Sequence, residues 1–289
     1  MLKGSIVALI TPFTKNNNIS FKKLYELIEI QYFSQTDGIV ILGTTSEAAT
    51  LNEYECDQIV DFVIKINNKR MKIVVGVIDN VTERAIKKAQ KYEKMGADYL
   101  LVSPPYYNKT NSSGLIKHFS LIANSVKIPI IIYNVPSRIG FNINIDDFIK
   151  LKEIKNIVGV KECGKDITHI MDLANICDDN FSLYCGNDDL SYLFLSLGAK
   201  GLINVYGNIE PKVMKNIIHL FDENEYLARK YFFKYYELFK TIFIETNPIP
   251  IKALMNYVGL NVGLYRLPLD KISEVNLEKL IKIYKIVNS

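Results

Sequence analysis

Lys161 is the residue whose setting most favours nucleophilic chemistry. It follows Ile157 to Val160, an apolar run of strand length, so its ammonium is expected to be partly desolvated and its pKa lowered. A lysine that is neutral part of the time can add to a carbonyl and form a Schiff base. The competing reading is a lysine that reaches solvent or pairs with Glu162. Other reactive groups gather where apolar runs end. Gly43, Thr44, Thr45, Ser46 and Glu47 follow one run, and Pro104 to Tyr107 follow another. Tyr133 ends a third, which continues to Arg138. A phenol at Tyr133 can pass protons during imine formation if Thr44 and Tyr107 extend a hydrogen-bonded chain. Backbone N–H groups around Thr44 and Thr45 lie in a Gly-containing turn and suit a carboxylate. Arg138 offers a planar fork for a second carboxylate, or else a surface salt bridge.

These residues need a frame that brings strand ends together. Strand-length apolar runs are Ser5 to Ile10, Gly38 to Leu42, Ile73 to Val77, Tyr99 to Val102, Pro129 to Tyr133, Ile157 to Val160, Phe181 to Tyr184 and Gly201 to Val205. Between them lie amphipathic stretches, among them Phe21 to Phe33, Glu53 to Ile66, Thr82 to Met95, Leu115 to Ser125 and Ile167 to Ile176. The runs lack polar alternation, as parallel strands covered on both faces do. Eight strand–helix units favour a closed (β/α)8 barrel over an open sheet, here across residues 1–223. A C-terminal segment of about three helices, 224–289, follows. Its first helix is crowded with Tyr231, Phe232, Phe233, Tyr235, Tyr236 and Phe239, expected to pack on the barrel wall or a neighbouring subunit. In a barrel the chemistry sits on the loops after the strands, where the polar residues above all stand.

Composition narrows the partners. The 35 basic and 31 acidic residues give a net charge of +4 and are mixed along the chain, with one short basic run from Lys65 to Lys72 read as a helix end. Nucleic acid is not an expected partner. Cys56, Cys163, Cys177 and Cys185 form no C-x2-C pair, and His118, His169 and His219 have no ligand spacing, so no metal is expected. Free thiols point to a reducing, cytoplasmic setting. The apolar start, Met1 to Ile10, is too short for a membrane span. Gly159 to Asp166 nearly matches a phosphate-binding loop, with a Walker-B-like run at Ile73 to Asp79. Asp166 stands where a magnesium-binding hydroxyl is required, and Gly159 and Val160 read as strand. That motif is therefore set aside.

Taken together, Gly43 to Glu47, Tyr106 to Asn108, Tyr133 to Gly140, Lys161–Glu162, Gly186 to Asp188, Asn247 to Lys252 and Arg266 to Leu269 resemble the dihydrodipicolinate synthase family. The resemblance spans nearly the whole chain. It implies that pyruvate forms an imine with Lys161 while Thr45 seats its carboxylate. It implies proton relay through Tyr133, Thr44 and Tyr107, the last expected from a neighbouring subunit. Arg138 would hold aspartate semialdehyde, and backbone carbonyls near Gly186 and Ile203 would line the site. No cofactor is implied, and relatives are commonly homotetramers built from dimers.

The chain departs from that pattern in places. Ser46 stands where glycine is usual, and a turn with φ > 0 would tolerate serine poorly. Cys163, Lys165, Asn204 and Tyr206 replace small residues and put the shape of the mouth in question. Lysine inhibits many relatives through positions matching Ala49, Asn80, Arg84 and Tyr106, with Glu53 and Cys56 nearby. Arg84 puts a cation where sensitive enzymes carry glutamate, so lysine inhibition is expected to be absent. Two further readings stay open. One is a different pyruvate aldolase, such as a neuraminate lyase or a keto-deoxy sugar-acid aldolase, against which Arg138 speaks. The other is a silent binding barrel, against which Lys161, Tyr133 and Thr44 speak together.

Overall fold

The computed structural model describes residues 1–289. Eight strands, β1 (Gly4–Ala8), β2 (Gly38–Ile41), β3 (Lys72–Val77), β4 (Tyr99–Val102), β5 (Ile130–Asn134), β6 (Ile157–Glu162), β7 (Ser182–Cys185) and β8 (Gly201–Asn204), pair in chain order. All pairings are parallel, and β8 returns to β1 to close the barrel. Helices α1 (Phe21–Phe33), α2 (Glu53–Asn67), α3 (Thr82–Met95) and α4 (Ser112–Asn124) follow the first four strands. After β5 come α5 (Pro136–Ile139), a single turn, and α6 (Ile145–Lys152). Then come α7 (Ile167–Ile176), α8 (Ser191–Ser196) and α9 (Pro211–Glu223), and three closing helices, α10 (Glu225–Thr241), α11 (Ile249–Tyr257) and α12 (Glu274–Val287).

The absence of polar alternation in the strands has a direct cause. Ile6, Val40, Val74, Leu101, Ile131 and Ile203 point into the barrel, whereas Val7, Ile39, Val75, Leu100, Ile132 and Leu202 point towards the helices. Both faces are dry, so both must be apolar. The seam between sheet and helices contains 59 buried residues and the barrel interior 12, so the seam carries most of the burial free energy. Helix starts are locally specified. Asn52 caps α2 and Glu55 reaches back to the Asn52 N–H, a reciprocal capping box, while Ser20, Asn111 and Asn144 cap α1, α4 and α6.

The crowded aromatic helix packs against the barrel. Phe232, Tyr235, Leu238 and Phe239 of α10 are buried, and Tyr206 lies 5.3 Å from the Phe239 ring and 6.0 Å from that of Tyr235. Tyr206 and Asn204 therefore belong to a seam rather than the mouth, which corrects the expectation drawn from their size. The Asn204 amide donates to Ser5 Oγ (3.0 Å) and the Ile6 carbonyl (3.2 Å), sewing the closing strands together. Gly159 and Val160 lie inside β6, so the phosphate-loop motif has no loop. No helix is long and apolar enough to cross a membrane.

Candidate active site

Parallel register sets the first contact. Tyr133 on β5 and Lys161 on β6 are direct partners, and both are buried. The Lys161 ammonium lies over the Tyr133 ring, 4.6 Å from its centroid. The Tyr133 hydroxyl stands 3.3 Å from Thr44 Oγ1, which comes from the turn after β2. The chain from lysine to phenol to threonine is thus assembled from three strand ends within one subunit.

Glu162 does not pair with Lys161. Consecutive strand residues face opposite ways, and the Glu162 carboxylate lies outside the barrel. There it accepts hydrogen bonds from Asn134 Nδ2 (2.6 Å) and the Gly164 N–H. The lysine's charge also differs from expectation. Burial depresses its pKa, but Tyr133, Cys163 and Asp188 act in the opposite sense, and the net displacement is upward. The amine must be free of its proton before it can attack.

Gly186 makes room for that lysine. A Cβ there would lie 2.8 Å from Lys161 Cε and 2.1 Å from Cys163 Sγ. Among the departing residues, Cys163 is thus the one that reaches the lysine's surroundings, and burial pushes its thiol up to about 11, where it is inert. Lys165 points to the surface and pairs with Asp189 at 3.0 Å. Ile203 is fully buried in the barrel interior beside Tyr133 and Tyr184.

The turn after β2 resolves the question at Ser46. The left-handed residues are Leu42, at φ 53°, and Glu47, at φ 57°, and Ser46 is not among the positive-φ residues. Ser46 Oγ donates to the Leu9 carbonyl (2.7 Å), and its own carbonyl accepts from Thr11 Oγ1 (2.7 Å). Serine here ties the turn to the end of β1 and causes no strain. Close packing is needed one strand over, where a Cβ on Gly76 would lie 2.2 Å from the Leu42 carbonyl oxygen.

The C-terminal segment completes the site. Asn247 Nδ2 donates to Thr45 Oγ1 (2.9 Å), and Arg138 Nη2 donates to the Asn247 carbonyl (2.9 Å). One residue thereby links the threonine and the arginine expected to hold the two carboxylates. Below it, Lys252 Nζ meets Glu47 at 2.6 Å with both side chains fully buried, and donates to the Leu264 carbonyl at 2.6 Å. The other Glu47 oxygen accepts the Arg266 N–H at 3.1 Å. Arg266 in turn forks onto Glu55. Asn247 and Lys252 stood in the sequence, but their bridging was not legible there.

Thr44, Tyr133, Arg138, Tyr106 and Asn247 share the wall of one cavity of about 310 Å³, within the range of small-ligand sites. Tyr107 is not brought to it. That side chain is 91 % exposed at φ 69°, in a turn held by Asn108 hydrogen bonds to Asn80 and Tyr106.

Comparison with known proteins agrees with this geometry. Residues 1–287 match the model of the dihydrodipicolinate synthetase family. The 4-hydroxy-tetrahydrodipicolinate synthase of Brachyspira hyodysenteriae is 44 % identical over 279 residues, covering 96 % of this chain and 95 % of the relative. The solved synthase of Methylacidiphilum fumariolicum superposes with a TM-score of 0.97 at 38 % identity, covering 100 % of this chain and 96 % of the other. The Acinetobacter baumannii dihydrodipicolinate synthase, solved in complex with pyruvate, gives 0.96 at 36 % identity, covering 100 % of this chain and 99 % of that one. With eight parallel strands closed into one barrel and a match along nearly its whole length, the chain belongs to the dihydrodipicolinate synthetase family.

Proposed function

We propose that this chain condenses pyruvate with L-aspartate 4-semialdehyde through a Schiff base on Lys161, giving 4-hydroxy-tetrahydrodipicolinate for lysine and diaminopimelate synthesis. The observation that carries the reading is the Lys161–Tyr133–Thr44 line at the barrel mouth, with Arg138 on the cavity that Tyr133 and Thr44 also line. Free Lys161 amine adds to the pyruvate C2 carbonyl. The carbinolamine then loses its hydroxyl as water, taking a proton relayed through Tyr133 and Thr44. Loss of a C3 proton gives the enamine, whose carbon attacks the aldehyde. The α-amino group of the added chain then closes on C2 and releases Lys161. Thr45 and its neighbouring N–H groups seat the pyruvate carboxylate, backbone carbonyls near Gly186 and Ile203 frame the pyruvate, and the Arg138 fork holds that of the semialdehyde.

The exposed, left-handed Tyr107 supports an assembly in which this phenol completes the relay of a neighbouring subunit, within a homotetramer. A non-glycine residue held at positive φ costs on the order of 1–3 kcal/mol and persists where the surroundings require it. Four free cysteines fit a reducing cytoplasm.

Steady-state assays with pyruvate and competing aldehydes test the reading. Turnover is expected with aspartate semialdehyde and not with N-acetylmannosamine. Arg138→Ala is expected to raise KM for the semialdehyde at least about tenfold, the loss of one charge-assisted contact, with pyruvate imine formation intact. Preference for the sugar would move the chain to the lyase branch.

A further inference from the structure

Asp188 is a buried acid that neither the proton relay nor the carboxylate clamps use. It lies two residues beyond Gly186, the residue whose missing side chain leaves space for Lys161, and it is 1 % exposed. Its carboxylate reaches across to the end of β8. Oδ1 and Oδ2 accept the Val205 N–H at 3.0 and 3.1 Å, and Oδ2 accepts the Tyr206 N–H at 2.6 Å. Those N–H groups follow Ile203, which faces the barrel interior. On the other side, the Gly186 N–H donates to the Glu162 carbonyl at 2.8 Å, which fixes the turn against β6. One carboxylate therefore ties the turn after β7 to the backbone at the end of β8.

The groups facing it are few. Lys161 approaches from β6, Cys163 from the turn after it and Cys185 from β7, and Asp189 is adjacent, its charge answered by Lys165. Glu162 is turned outward and Glu47 is neutralised by Lys252. Asp188 is thus the carboxylate whose charge acts on Lys161.

We propose that ionised Asp188 is a positioning residue for imine formation, holding the β8 end against the Gly186 turn that leaves room for Lys161. Only the carboxylate does this, because a protonated carboxyl presents an O–H to N–H donors. Burial pushes the group up to about 7, against the pull of the Tyr206 and Val205 N–H groups. The clamp is therefore expected to loosen as pH falls through that value.

The proposal rests on the Schiff-base reading, and one set of samples separates the two. The logarithm of kcat/KM for pyruvate is measured against pH, with borohydride trapping on the same protein. The unaltered enzyme is expected to bend at about pH 7, falling more steeply on the acid side. Asp188→Asn is expected to lower kcat/KM by about 10- to 100-fold, the scale of one lost electrostatic contact, and to remove the bend. Asp189→Asn is expected to keep it. A bend that survives in Asp188→Asn overturns the proposal, and so does an unaltered enzyme that traps pyruvate but shows no bend. The second outcome needs no folded variant. Failure of the unaltered enzyme to trap pyruvate would instead remove the Schiff-base reading beneath it.

Discussion

Arg84 shows how much one residue can decide. Its guanidinium donates to both Asp79 oxygens, at 3.0 and 3.2 Å, and to Asn80 Oδ1 at 3.1 Å. Lys88 holds the same Asp79 carboxylate at 2.8 Å, so two cations share one anion beside Tyr106. A second ammonium arriving there meets net positive charge. Free lysine at millimolar concentration is accordingly expected to leave steady-state turnover unchanged, and strong inhibition would contradict this reading of the charges. At the same scale, residue type made Lys161, Tyr133, Thr44 and Arg138 legible, because reactive groups at the ends of apolar runs have few structural uses. Conformation was less legible. Which residue of the turn after β2 takes positive φ depends on where its side chain finds partners. Glu47 finds Lys252 and Arg266, and Ser46 finds Leu9. The direction of the Lys161 pKa was less legible for a similar reason, since Tyr133, Cys163 and Asp188, which raise it against burial, come from β5, the turn after β6 and the turn after β7.

Among the elements, the barrel strands carry the chemistry and the C-terminal helices hold its loops. The alternation of runs predicted eight strand–helix units because strands buried on both faces leave an unmistakable apolar signature. The tie between Lys252 on α11 and Glu47 spans 205 residues of sequence, and no local pattern announces so distant a pairing. Burial lowers the Lys252 pKa even with Glu47 beside it, a measure of how dry the joint is. Removing one member of a fully buried ion pair strands the other charge and costs about 3–5 kcal/mol. Lys252→Met is therefore expected to lower unfolding stability in urea by that order. It should also weaken pyruvate binding, because Asn247, five residues upstream, would lose its hold on Thr45. A stability change below about 1 kcal/mol, the scale of an exposed pair, would show that the joint is not what fixes the loop.

Across the whole molecule, the closed sheet gathers residues from distant parts of the chain into one mouth, and the helices that follow it pack on the outside. Barrel closure places Tyr133 beside Lys161, the β2 turn brings Thr44 to the phenol, and α5 with the C-terminal segment sets Arg138 across the cavity. The central claim is that this mouth exists to make a covalent imine at one lysine. Borohydride reduction in the presence of pyruvate, followed by peptide mass mapping, tests it most directly. A single stable adduct is expected on Lys161, and none without pyruvate. A folded protein with no adduct, or with the adduct on another lysine, would contradict it.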